Sequence, residues 1–436
     1  MEVGERGIQG GCKEMRWRGR MEDGELVEMR KRTRLDNRVC TFDQNHMDMN
    51  VVLLLLVVVS SLLLGHNSRV EGGKRLSGKE DLELEKELKL LNKPAVKTLY
   101  TEYGDIIDCV DFYKQPAFDH PLLKNHTFHY KMKRSPLHRK ARDQNSSKLT
   151  KPVSIGLKGG GCPIGTVPIR RITKEDLIRE RFSSRIMGSA DNIPGAHYAI
   201  ARTGTSSNKY LGAGAGISIH NPPASGRQYS AARVKIQNGP DSIEVGWRVD
   251  PSLYGDIRTR LFVRLDAGGS HCFNTRCPGF VLVRSDMPVD MVFSRISQPG
   301  TSDIFVVRAY YVRDQVNGNW WLELGSDNTE IGFWPKALFT GLGDLANYVE
   351  WGGEVFSPPG TTKPPMGVGN LPIGTTKYDS FFIHVAVLNE FGQTVDADNL
   401  EEFADNNKLY NVLDEGIQKD DGHVVLYGGH GGSTDV

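Results

Sequence analysis

From about residue 190 to its C-terminus the chain is a succession of short β-forming stretches: ARVKI, SIEVGWRV, RLFVRL, GFVLV, DIFVVRAYYV, NWWLEL, FFIHVAVL and HVVLY. Gly, Pro, Asn and Asp separate them, residues that turn a chain rather than prolong a helix. Many short strands, few helices and no fixed repeat predict an antiparallel β-sandwich or barrel of about 240 residues.

The preceding part has a different character. Residues 51–64, VVLLLLVVVSSLLL, form an apolar run shorter than the roughly 20 residues a bilayer span needs and suited to the core of a signal peptide. Translation is therefore expected to begin at Met47 or Met49, which leaves residues 1–46 as a doubtful extension, and cleavage is expected near Gly72. The alternative is a signal anchor with residues 1–48 cytoplasmic; Met47 to Asn50 carry no positive charge. Farther on, Leu84, Leu88 and Leu91 recur at helical spacing between Glu80 and Asn92, and Pro94 ends the pattern. Thr173 followed by Asp176 caps a second short helix over about residues 174–183. Residues 131–151, basic and poor in large apolar side chains, read as an exposed linker.

Charge and cysteine usage narrow the setting. The net charge of +1 gives no reason to expect a nucleic-acid or membrane-surface partner. Apart from Cys12 and Cys40 in the doubtful prefix, the chain has Cys109, Cys162, Cys272 and Cys277. Cys272 and Cys277 enclose only FNTR, a spacing suited to a small disulfide loop, and no neighbour completes a zinc site. Cys109 and Cys162 then pair by elimination. Glycosylation sequons at Asn125 and Asn145 agree with the secretory route.

No HExxH, GxSxG or phosphate-binding P-loop is present. Gly212 to Gly216 leads into strand-like ISIH, so its glycines read as structural, and His126 with His129 lacks further ligands. Two strand-like segments stand out instead. In SIEVGWRV, alternation puts Ile243, Val245, Trp247 and Val249 on one face and Glu244, Gly246 and Arg248 on the other. Gly246 is expected to leave room for a substrate backbone and Arg248 to bias the carboxylate. In VEWGGEVF, Glu350, Gly352 and Glu354 share a face, with Gly353 beside them. At about 3.3 Å per residue, Glu350 and Glu354 are roughly 13 Å apart, too far to act as a pair on their own. Either is able to face Glu244 from a neighbouring strand. Trp247, Trp320, Trp321, Trp334 and Trp351 cluster around these carboxylates in sequence, which predicts an aromatic-lined cleft.

These strings resemble the plant neprosin family. DCVDFYKQPAFDHPLLKNHT and GCPIGTVPIRRITKEDL are similar to its N-terminal pro-segment, and IEVGWRVDPSLYGD, CFNTRCPGF, NGNWWLEL, IGFWP and VEWGGEVF follow in the family's order. The resemblance runs over roughly residues 92–429. With the apolar run read as a signal peptide at 47–72, it implies a smaller mixed α/β pro-segment at 73–188 that covers the cleft and is removed at acidic pH, and a β-sandwich catalytic domain at 189–436. It further implies a secreted proline-directed glutamic endopeptidase whose catalytic pair is Glu244 with Glu354 rather than Glu350, acting on peptides or proteins without metal or cofactor. Two close carboxylates hold one proton between them, so one serves as base and the other as acid. The chain departs from the family at RLFVRLDAGGSHCF, which lacks an aromatic YWT-like string and leaves proline preference open. It also has Lys408 where a cysteine of a further disulfide is expected. Paired glutamates among tryptophans equally describe a glycoside hydrolase, and the same sandwich serves a binding protein without turnover.

Overall fold

Alternating side chains decide the architecture, because each strand has one apolar face to bury. The computed structural model describes residues 3–7, 13–17, 19–20, 26–27, 78–124, 132, 150–184, 193–204 and 208–433. The apolar run at 51–64, the sequons at Asn125 and Asn145, His126, His129 and most of the basic linker lie outside the described residues. Two units are distinguished, Met1–Arg75 and Leu76–Val436. In the first, Val3–Gly7 (β1) pairs with Lys13–Trp17 (β2), and Gly19–Arg20 (β3) with Leu26–Val27 (β4), both antiparallel.

The second unit opens with helix α1 (Gly78–Leu91), followed by strands Ala95–Tyr100 (β5) and Ile106–Asp111 (β6), the two-residue strand Lys151–Pro152 (β7) and Thr166–Arg170 (β8). Helix α2 (Lys174–Ser184) has the expected cap: the Asp176 amide donates to Thr173 Oγ1 at 3.2 Å, and the Thr173 amide donates to Asp176 Oδ2 at 2.9 Å. Then come Ala196–Thr203 (β9), Tyr210–Ser218 (β10), Tyr229–Asn238 (β11), Asp241–Val249 (β12), the single-turn helix α3 (Pro251–Tyr254), Arg260–Ala267 (β13), Ser270–Phe273 (β14) and Val281–Leu282 (β15). The chain ends with Phe305–Arg313 (β16), Trp320–Leu324 (β17), Thr329–Trp334 (β18), Tyr348–Phe356 (β19), Ser380–Asn389 (β20), Thr394–Asp396 (β21), Leu400–Ala404 (β22), Asn411–Gln418 (β23) and Gly422–Gly428 (β24).

Two sheets result, forming an antiparallel β-sandwich. One runs β15-β18-β17-β16-β10-β20-β24-β23, with β21 added at β20 and β7 at β16; the other runs β14-β13-β12-β11-β19-β9-β22. The GAGAG stretch is strand β10, in the middle of the first sheet. A side chain at Gly214 would collide with the Tyr310 ring and the Ala309 carbonyl, so these glycines let strands approach, as their strand-like sequel suggested.

The tryptophans correct one expectation. Trp247, Trp320, Trp321, Trp334 and Trp351 are at most 1% exposed and belong to the core between the sheets, so they do not line a cleft. Trp247 and Trp351 sit on the strand faces opposite the glutamates, and their indoles donate across the sandwich to the Ser218 and Gly214 carbonyls at 2.7 and 3.2 Å. An indole buried this way satisfies its one polar atom while its ring fills the gap between sheets.

The N-terminal part of this unit joins the sandwich through polar contacts. β5, β6 and β8 form a small sheet stapled by the Cys109–Cys162 disulfide, and the Cys272–Cys277 disulfide closes the loop after β14. β7 pairs in parallel with β16. Asp105, between β5 and β6, receives a two-pronged contact from Arg260 on β13, at 2.9 and 3.0 Å. Asp176, fully buried, lies 3.3 Å from Arg276. Buried carboxylates without such partners would be expelled by their desolvation.

Because Trp247 is a core residue, Trp247→Ala is expected to destabilise the protein by about 3–5 kcal/mol. A urea unfolding curve checks this; a stability change within 1 kcal/mol would mean that the ring is not part of the core.

Candidate active site

Strands β13, β12, β11, β19 and β9 lie side by side, and their register arranges side chains of the sheet's outer face in rows. Arg264, Glu244, Lys235, Glu350 and Arg202 form one row. Phe262, Gly246, Arg233, Gly352 and Ile200 form the next, and Arg260, Arg248, Ala231, Glu354 and Tyr198 the third. Opposite residues in adjacent strands share a face, so Glu244 and Glu354 meet diagonally across β11. Arg233 on β11 stands between them.

The Arg233 Nε donates to Glu354 Oε2 at 2.6 Å and lies 3.5 Å from Glu244 Oε2. Its Nη1 donates to Glu350 Oε1. The Tyr229 hydroxyl donates to the other oxygen of Glu354, and the Tyr348 hydroxyl donates to Glu350. Glu244 has Arg264 at 3.7 Å, and that arginine is itself paired with Asp266 at 2.9 Å. Glu244 and Glu354 are 3% and 2% exposed, so their charges depend on these neighbours rather than on water.

The two carboxyls are driven apart. Burial pushes Glu244 above its ordinary range; Arg233 and Arg264 only partly offset this, and the nearby Glu354 charge adds to the rise. Burial would raise Glu354 as well, but Arg233, Arg264, Arg248 and the Tyr229 hydroxyl outweigh it and hold that carboxyl down to about 2. Glu350 is also held below its ordinary value, Arg233 and Lys235 outweighing burial. The arrangement therefore holds a proton on Glu244 to higher pH than on Glu354 or Glu350.

Several sequence expectations need adjustment. Gly246 does not leave space for a substrate: a Cβ there would meet the Ala232 carbonyl and the Arg233 backbone, so the glycine serves the close approach of β11. Gly352 likewise faces the Ala199 carbonyl, and Gly353 points into the core against Met366 and Tyr427. Arg248 acts on Glu354; its Nε donates to Asp250 Oδ2 at 2.8 Å and its guanidinium lies 3.4 Å over the Tyr229 ring. Glu350 is an ion-pair partner of Arg233. Arg233, Arg264, Tyr229, Tyr348 and Tyr198 were missed. The only sequence trace of Arg233 is its place, alternating with Val234, in the ARVKI strand; which strand it faces depends on register. Among the described residues, no cluster of three or more His, Cys, Asp or Glu is placed to hold a metal ion.

Loosening the Arg233 contacts should show in acid unfolding. A carboxyl held down stabilises the fold above its ordinary value of 4.5 and loses that contribution as the pH falls toward about 2. Arg233→Lys keeps the charge but not the fork that reaches Glu354 and Glu350 together. Glu354 then moves up toward 4.5, and the acid-unfolding midpoint followed by tryptophan fluorescence is expected at higher pH. An unchanged midpoint would contradict this account of Glu354.

Comparison with known proteins adds an independent finding. A family model described as Neprosin matches residues 226–430, and one described as Neprosin activation peptide matches residues 98–210. The latter match runs through β9, an interior strand of the glutamate-bearing sheet. Solved structures similar to the chain include Scytalido-glutamic peptidase with a peptide based transition state analog, 10% identical with a TM-score of 0.30, covering 53% of this chain and 97% of that one. Another is SCP-B, a member of the Eqolisin family of peptidases, in a complex with the tripeptide Ala-Ile-His, 10% identical with a TM-score of 0.28, covering 53% and 96%.

Proposed function

From the premise that the chain belongs to the neprosin family, catalytic domain and activation peptide together, we propose that it is a glutamic endopeptidase made as a zymogen, with Glu354 as general base and Glu244 as general acid. The observation that carries the reading is the unequal treatment of two close carboxyls, one pushed up by burial and the other held down by three arginines and a tyrosine. A base must be ionised and an acid protonated at the same pH, and such a split provides both.

In the proposed reaction, ionised Glu354 takes a proton from water as the water oxygen bonds to the scissile carbonyl carbon. Protonated Glu244 donates to the carbonyl oxygen. As the C–N bond breaks, the proton taken from water passes from Glu354 to the leaving nitrogen, and the proton lent to the carbonyl oxygen returns to Glu244, leaving a carboxylic acid and restoring both glutamates. Activity is expected between the two titrations: protonation of Glu354 ends it on the acid side, and loss of the Glu244 proton ends it on the alkaline side. An acidic optimum follows. No step calls on a metal or organic cofactor.

Zymogen control is supported by the closed state of the carboxylates and by where the N-terminal part is anchored. Arg260, which donates to Asp105, lies on the same sheet face and in the same row as Glu354. We read residues 73–188 as the segment removed and 189–436 as the catalytic domain, with cleavage between about residues 180 and 195, ahead of β9, because losing that strand would split the sheet. Residues 185–192 lie outside the described residues. Secretion through a signal at 47–72, glycosylation at Asn125 and Asn145 and preference for proline belong to the same proposal.

Acid incubation of the purified precursor, with N-terminal sequencing and a peptide-library assay, tests this function. A new N-terminus before Ala196 accompanied by peptide cleavage is expected, and Glu354→Gln should lower kcat by about 10²–10⁴-fold. Equal peptide cleavage by wild type and variant, or release of sugar from polysaccharide without peptide cleavage, would overturn it.

A further inference from the structure

Three phenols stand near the carboxylates, and two are committed. Tyr229 donates to Glu354 and Tyr348 to Glu350. The third, Tyr198, lies directly opposite Glu354 in the β9–β19 register and on the same face. Its ring centre is 5.8 Å from the Arg233 guanidinium carbon, although Arg233 belongs to β11 on the far side of β19, so the ring leans over the strand that carries Glu354. Among the described residues its hydroxyl makes no hydrogen bond. Tyr198 is also partly exposed, whereas Glu244 and Glu354 are buried.

We infer that Tyr198 is a further catalytic residue, its hydroxyl donating a hydrogen bond to the carbonyl oxygen of the scissile peptide as negative charge develops there. This rests on the two-glutamate reading. Tyr198 is the only phenol of the three with a free donor, and it is partly exposed beside the buried Glu354, where an arriving peptide is able to reach it. Burial, with the Glu354 charge, pushes its hydroxyl up, so the proton stays on oxygen throughout the acidic range. The hydroxyl transfers no proton; it adds a hydrogen bond to the one from Glu244 while Glu354 handles the proton from water. A donor waiting in place for a developing oxyanion lowers the barrier because it needs no reorganisation during the reaction.

The backbone keeps this residue in position. The Tyr198 amide donates to Asp405 Oδ1 at 2.6 Å, and the same carboxylate pairs with His197 at 2.6 Å, which fixes β9, the strand carrying the phenol, against the residue after β22. The ring therefore has a defined place even without a partner for its hydroxyl.

Tyr198→Phe removes the oxygen and leaves the ring beside Arg233. In the acid-activated protein it is expected to lower kcat by about 100-fold, with KM, the pH profile and the unfolding temperature unchanged. Comparing an oxygen amide substrate with its thioamide at the scissile bond gives a second readout. Sulfur accepts hydrogen bonds poorly, so wild type should discriminate against the thioamide strongly and Tyr198→Phe weakly. A kcat within twofold of wild type, or a loss accompanied by a shifted pH profile, would overturn the assignment, since the latter would mean that Tyr198 tunes Glu354 instead. Parallel assay of Glu354→Gln separates the two levels: an inactive Glu354→Gln with a fully active Tyr198→Phe removes Tyr198 but not the glutamate pair, whereas an active Glu354→Gln removes the pair.

Discussion

Arg233 placed among three buried carboxylates is the interaction on which the site depends. Glu244, Glu350 and Glu354 occupy two strands flanking β11, and none has enough solvent to carry a charge unaided. A single guanidinium bonds two of them and lies near the third. Its contacts are unequal, so the three carboxyls give up their protons at different pH. The last to do so is Glu244, which has only longer ionic contacts, whereas Glu354 also has the Tyr229 hydroxyl. A difference in reactivity between two chemically identical groups thus comes from how closely Arg233 holds each of them and from Arg248 and the Tyr229 hydroxyl, which act on Glu354.

The sandwich makes that arrangement rigid. Its inner faces are packed with tryptophans, and two of them, Trp247 and Trp351, bond through their indoles to backbone carbonyls of the other sheet, fixing the strands that carry the glutamates on their outer faces. The glycines at 246 and 352 flank Arg233 in its row and allow neighbouring backbone to come close. The N-terminal segment is tied to this frame through Asp105 and Arg260, Asp176 and Arg276, and the β7–β16 pairing. These contacts draw on the sandwich's own arginines, so removal of the segment leaves buried cations to be rehydrated.

Much of this was legible in the chain. Alternation in SIEVGWRV separated Trp247 from Glu244 correctly, since that rule depends only on the local backbone. Thr173 with Asp176 marked the start of a helix; the short spacing of Cys272 and Cys277 marked one disulfide, and elimination gave Cys109 with Cys162. What failed depended on register or on the second sheet. The tryptophans are near the glutamates in sequence but across the strand from them, and only the partner sheet shows that their face is core. Arg233 could not be singled out because its significance lies in being opposite Gly246 and Gly352. Gly246 looked like room for a ligand, but the neighbouring strand occupies that room.

The central claim is that the proton of the pair resides on Glu244. The direct measurement is a carbon-13 NMR titration of the side-chain carboxyls of Glu244 and Glu354, assigned with the single Gln variants of each. The account predicts that the Glu354 signal stays in its ionised position down to about pH 2, while the Glu244 signal moves at a pH above 4.5. If Glu354 titrates at the higher pH, or both signals move together near 4.5, the assignment of acid and base is wrong.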